Sequence, residues 1–169
     1  MSDFPSRKPL RLKNYDYSQA GYYFITLCTY QNQKLFDFSQ IGIEENILPE
    51  QTPQNKLIEK WLFAMENKFC ISIDKYIIMP DHIHFILIIH TERHTGRSLP
   101  EMMQWFKTMT TNEYIRLVKN KTIKPFHQKI WHKSYHEHII RNQDDYMAKL
   151  QYILNNPLKS SLSSNPFSP

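Results

Sequence analysis

The run ISIDKYIIMPDHIHFILIIH, residues 71–90, decides the architecture. Two stretches rich in β-branched and aromatic residues flank Pro80-Asp81, a turn signal, and so read as an antiparallel hairpin. The second arm is apolar at consecutive positions from Phe85 to Ile89, so both its faces are covered and it belongs at the centre of a sheet. Working outward, YYFITLCTY (22–30) reads as another strand, and residues 53–68 as a helix. Thr52 caps that helix, Pro53 suits its first position, and Leu57, Ile58, Trp61, Leu62 and Met65 form one stripe. After a loop, Ser98 and Glu101 make a capping box with Pro100 in the first turn, opening a helix whose stripe is Leu99, Met102, Met103, Phe106 and Met109. IWHKSYHEHII (130–140) reads as a strand, and a third helix spans 143–155, closed by Pro157. The order β-α-β-β-α-β-α predicts an α+β, ferredoxin-like sandwich: an antiparallel sheet with two crossover helices on one face and an extra C-terminal helix.

The 169 residues, 41% hydrophobic and 22% charged, fit one domain over residues 1–158, followed by a loose polar tail, KSSLSSNPFSP, at 159–169. Cys28 and Cys70 stand apart, with neither a disulfide framework nor a zinc-knuckle spacing. Three glycines exclude a Gly-rich phosphate cradle. The polar N-terminus and the lack of any run near ~20 apolar residues predict an intracellular, cytoplasmic protein with no membrane partner. Charge is concentrated: residues 93–133 hold nine Lys/Arg against two acids, and Arg7, Lys8, Arg11 and Lys13 open the chain. Segregated positive charge suits a polyphosphate partner, or else a solvated basic surface.

His82-Ile83-His84 begins the strand after Pro80. Alternation puts both imidazoles on one face, as a pair of metal-ligand nitrogens or as two histidines satisfied by backbone groups. On the third helix, Tyr146, Met147, Leu150, Ile153 and Leu154 share one stripe. Tyr152 falls near the opposite side, with Asn156 one turn on, offering a phenol nucleophile beside an oxygen donor. His136-Glu137-His138 is a second such triplet, in which His138 reads as an orienting or structural residue. Tyr15, Tyr17, Trp105 and Trp131 are candidate base-stacking platforms, and Trp61 reads as core.

Taken together, these runs resemble the HUH single-tyrosine transposases, and within them the REP-associated tyrosine transposase branch. The resemblance runs through RLKNYDYSQAGYYFITLCT, YIIMPDHIHFIL, SLPEMMQWFKT and IWHKSYHEHIIRNQDDYMAKLQYILNNPLKS, nearly the whole chain. It implies the ferredoxin-like fold, a divalent cation (Mg²⁺ or Mn²⁺) on His82 and His84, and Tyr152 as nucleophile on single-stranded DNA. Asn156 stands where relatives carry a polar third metal ligand. The implied substrate is a short palindromic hairpin with adjacent single strand, cut through a 5′-phosphotyrosine and rejoined. Arg11, Lys13, Lys107, Arg116, Lys119, Lys121 and Lys124 are the residues expected to track phosphates.

Two rivals stand beside this reading. One is a domesticated nucleic-acid-binding module on the same fold without cleavage. The other, a zinc hydrolase, is disfavoured because Phe85, Ile86 and Leu87 follow His84 in place of further ligands. The short connection before the third helix favours a monomer that uses its own tyrosine over a dimer that exchanges it.

Overall fold

The computed structural model describes residues 15–37, 39–40, 52–92 and 95–162, with side chains described through residue 155 but not at 39–40. The elements are β1 (Gly21–Cys28), β2 (Ser39–Gln40), α1 (Pro53–Phe69), β3 (Ile71–Met79), β4 (His82–Ile89), α2 (Leu99–Lys119), β5 (His136–Ile140) and α3 (Gln143–Leu162), with one 3₁₀ turn at Tyr30–Asn32. The strands form one antiparallel sheet in the order β2-β3-β4-β1-β5. Without the two-residue β2, which no pattern in the sequence announces, this is the ferredoxin-like order. The expected fold is the observed one.

Alternation along β1 and β4 divides the interior into two cores. Tyr23, Ile25 and Leu27 with Ile83, Phe85, Leu87 and Ile89 point toward α1 and α2 and are buried there with Leu57, Ile58, Leu62, Met65, Met102, Met103 and Phe106. Phe24 and Ile86 face the other way and pack with Ile77, Met79, Ile140 and Ile153 of α3. α3 therefore covers the sheet face that the two crossover helices leave open.

The helix starts follow their capping chemistry. The Asn55 amide donates to Thr52 Oγ1 at 3.4 Å. At α2, Glu101 accepts from the Ser98 amide at 2.8 Å and from its hydroxyl at 2.9 Å, satisfying a donor the helix itself leaves open.

Two boundaries differ from the sequence reading. The strand expected over 130–140 exists only from His136; upstream, Trp131 makes an isolated bridge to Thr29. Lys107 Nζ donates to the carbonyls of His132, Lys133 and Ser134 at 3.0, 3.2 and 3.4 Å, and carbonyls gathered on one ammonium cannot alternate along a strand. α3 continues past Pro157 to Leu162, because a proline forfeits one backbone bond without compelling the helix to stop. Residues 163–169 of the expected tail lie outside the described residues.

Candidate active site

His82 and His84 open the central strand β4, pairing with Cys28 and Thr26 of β1 on one side and with Met79 and Ile77 of β3 on the other. The turn before them is held down: the Thr29 amide donates to the Asp81 carbonyl at 2.8 Å, and the Leu35 amide to the Pro80 carbonyl at 2.9 Å. The two rings lie 4.7 Å apart, centroid to centroid, on the α3 side of the sheet.

Each imidazole is oriented through Nδ1. His82 Nδ1 lies 2.5 Å from Asp81 Oδ1, and since the carboxylate can only accept, Nδ1 is the donor. His84 Nδ1 lies 2.8 Å from the Thr26 hydroxyl, and its Nε2 is buried without any hydrogen-bond partner. Burial, with His82 alongside, pushes the His84 imidazole down to about 3, so the ring is neutral at physiological pH. Two adjacent imidazoles held through Nδ1, one of them buried with its second nitrogen orphaned, have the chemistry of a metal-ligand pair. Among the described residues, no group of three or more His, Cys, Asp or Glu converges as a metal site. Asn156 lies on α3 one turn beyond Tyr152, and its side chain is outside the described residues.

Tyr152 comes to this pair from the same chain. Its ring stands edge-on to His84 at 5.1 Å and to Phe24 at 5.8 Å, while 44% of the residue stays exposed. Phe24 in turn stacks on His84 at 5.3 Å. Of the stripe read from the sequence, Tyr146, Leu150, Ile153 and Leu154 are at least partly buried, whereas Met147 is 43% exposed; Tyr152 lies outside it, as expected, yet its ring reaches the sheet. Ile153 is fully buried. Tyr146 is partly buried, as expected of a core residue, but its hydroxyl donates to Asp74 Oδ2 at 2.6 Å, across the bulge between Ile73 and Tyr76 of β3. His138 Nε2 lies 2.8 Å from Asp145 Oδ2 in the first turn of α3, so the second His-x-His triplet ties β5 to the helix. Lys149, one turn before Tyr152, holds its ammonium 5.6 Å above Phe24. The sequence reading missed it, although its i−3 spacing from Tyr152 was there to be read.

The basic residues separate into distinct roles. Lys107, expected on phosphates, is a structural lysine spent on the three carbonyls, and Arg116 is paired with Glu113 at 2.8 Å. Lys119, Lys121 and Lys124 are exposed, and the last two line an open depression with Lys34 and, among the described residues, no acid. The loop carrying them joins the end of α2 to β5 and is bonded back beside the histidine turn, Tyr30 amide to Ile130 carbonyl at 2.7 Å and His132 amide to Cys28 carbonyl at 2.9 Å. Arg11 and Lys13 lie outside the described residues. Of the expected stacking platforms, Tyr17 and Trp131 are buried; Trp131 stacks on Phe36 and donates to Thr110 at 2.8 Å. Tyr15 and Trp105 are partly buried against the core, as is Trp61.

Fold and site together define an α+β protein with a His-x-His pair on the central strand facing a tyrosine on the last helix. Residues 19–156 match the family model described as IS200-like transposase. A protein of Haemophilus influenzae Rd, itself uncharacterized, is 30% identical over 90% of this chain and 88% of its own. A REP-associated tyrosine transposase solved with a REP hairpin superposes with a TM-score of 0.59 at 19% identity, covering 99% of this chain and 81% of that one. A candidate transposase from Deinococcus radiodurans R1 does so at 0.51 and 12% identity, over 86% and 95%. The chain belongs to the IS200-like transposase family, and its role is of the transposase type. No described helix is long and apolar enough to cross a membrane.

Proposed function

We propose that this protein cuts and rejoins single-stranded DNA beside a hairpin, with Tyr152 as the nucleophile. One observation carries the reading: the Tyr152 ring lies edge-on, 5.1 Å between centroids, against a neutral histidine whose inner nitrogen has no protein partner. His82 Nε2 and His84 Nε2, with Asn156, would hold a divalent cation, Mg²⁺ or Mn²⁺. Such an ion supplies charge withdrawal from the phosphate oxygens and a fixed position for the phosphate.

The chain's own residues do the rest. The Tyr152 oxygen attacks phosphorus and a new P–O(Tyr) bond forms. The P–O3′ bond breaks, and the proton lost by the phenol is balanced by the one gained at the 3′-hydroxyl. One phosphodiester replaces another, so the reverse step rejoins strands without an external energy source. Phe24 and Ile153 hold the helix against the sheet, limiting the freedom the phenol must lose to reach an in-line position. Lys149 places a cation beside that trajectory. The solved relative bound to a REP hairpin and the depression lined by Lys34, Lys121 and Lys124 support a hairpin stem as the DNA partner, and the tyrosine arriving from the same chain supports a monomer as the working unit.

The test is covalent capture. Purified protein incubated with hairpin DNA carrying a labelled 3′ single-stranded flank, plus Mg²⁺ or Mn²⁺, should give a protein–DNA band that survives denaturation. Tyr152→Phe should still bind yet give none. Wild type that binds but never forms the adduct would favour the non-cleaving module instead.

A further inference from the structure

We propose that a pocket beside the start of α3 receives one unstacked nucleobase of the strand that Tyr152 cuts; this rests on the reading above and adds a base-recognition site to it. The pocket has a volume of about 370 Å³. Its floor is the α3-facing side of the sheet at the end away from the histidines: Tyr22 opening β1, Ile88 closing β4 and Ile140 closing β5. Tyr146 and Asp74 form one wall and Arg141 the rim.

The chemistry matches a base. Tyr22 is 44% exposed, an unusual position for a large aromatic, and its ring is steadied edge-on by Tyr146 at 6.1 Å. An aromatic side chain held from one side and open on the other is a platform for any base, since every base has a π-face. Asp74 spends Oδ2 on the Tyr146 hydroxyl and has no other hydrogen-bond partner among the described residues. Its second oxygen is thus an acceptor for the ring or exocyclic N–H groups of a base edge. Arg141 is exposed, its guanidinium unpaired among the described residues while its amide is fixed to Asp145 at 3.3 Å. That cation suits the adjoining phosphate.

Placement makes the occupant part of the same strand. Tyr146 and Tyr152 share one helix, and six residues of helix advance about 9 Å. A strand gripped at Tyr152 and led along the sheet reaches the pocket with a nucleotide close to the cut, but not at it.

The test uses binding alone. Full-length protein carrying Tyr152→Phe, which cannot be trapped covalently, is titrated with a hairpin whose labelled flank has a single abasic site, moved one position at a time. One position near the cut should cost roughly tenfold in affinity when its base is removed. Adding Tyr22→Ala should lower affinity for the intact strand by a similar factor and erase the penalty at that position only; Tyr22→Trp should restore it. Arg141→Ala, at an exposed position, should reduce the same penalty. An abasic profile unchanged by Tyr22→Ala and Arg141→Ala, or lowered evenly at all positions, overturns the proposal. Failure of the transesterification reading is separate: it appears as no covalent adduct from protein retaining Tyr152, whatever the abasic scan gives.

Discussion

Thr26 of β1 and His84 of β4 are register partners, and the threonine hydroxyl lies 2.8 Å from His84 Nδ1. A cross-strand pair thereby decides which nitrogen of a buried imidazole is tied to the sheet and which is left without a partner. Thr26→Val keeps the shape and removes the hydroxyl. Partners of ligating histidines typically contribute about 10- to 100-fold in metal affinity or activity. The Mn²⁺ concentration giving half-maximal adduct formation should rise by that order in Thr26→Val, while Thr26→Ser stays near wild type. An unchanged cation dependence in the valine variant would separate Thr26 from the site's chemistry.

Acid should weaken the fold through His84. Its pKa falls from 6.5 to about 3 on folding, so between those values the unfolded chain binds a proton that the folded chain refuses. The unfolded state then holds more protons, and stability declines as pH drops from 6.5 toward 3, by up to about 1.4 kcal/mol per unit. Urea midpoints measured from pH 7 to pH 4 should show this decline, and it should be shallower in His84→Gln. A parallel decline in both proteins would assign it to other groups.

Lys107 and the pair Lys121 and Lys124 should respond oppositely to mutation. Lys107→Met leaves three carbonyls without their shared donor, a loss of about 1–3 kcal/mol in unfolding free energy, with little change in how DNA affinity depends on salt. Lys121→Ala and Lys124→Ala should leave the thermal midpoint in place and each lower the salt slope of hairpin binding by about one. Salt titrations alongside thermal melts separate the two classes.

Tyr146→Phe removes the hydroxyl that reaches Asp74 and should cost about 0.5–1.5 kcal/mol, visible as a lower thermal midpoint. Since that bond helps anchor the helix carrying Tyr152, single-turnover adduct formation should slow by more than hairpin affinity falls. An equal effect on both would make the bond a stability element only.

Much of this protein is written in local pattern. The hairpin at 71–90, the Thr52 and Ser98 caps and the alternation that puts His82 with His84 are short-range consequences of side-chain size, φ/ψ preference and hydrogen-bonding groups, so they could be read from the chain directly. The motif runs carried the family resemblance as well. Long-range contacts settled the remainder. What α3 meets on the sheet depends on Phe24, His84 and Asp74, residues 68 or more positions away from their partners Tyr146 and Tyr152, and helical periodicity, which put Tyr152 outside the buried stripe, could not show that its ring reaches Phe24 and His84 while the residue stays 44% exposed. Lys107 left the basic surface for the same reason: only the folded chain brings three carbonyls within reach of its ammonium. Sequence alone determined which elements form and which side chains carry chemistry. Tertiary structure decided which of those side chains meet, because polar partners and packing faces are chosen by groups distant along the chain.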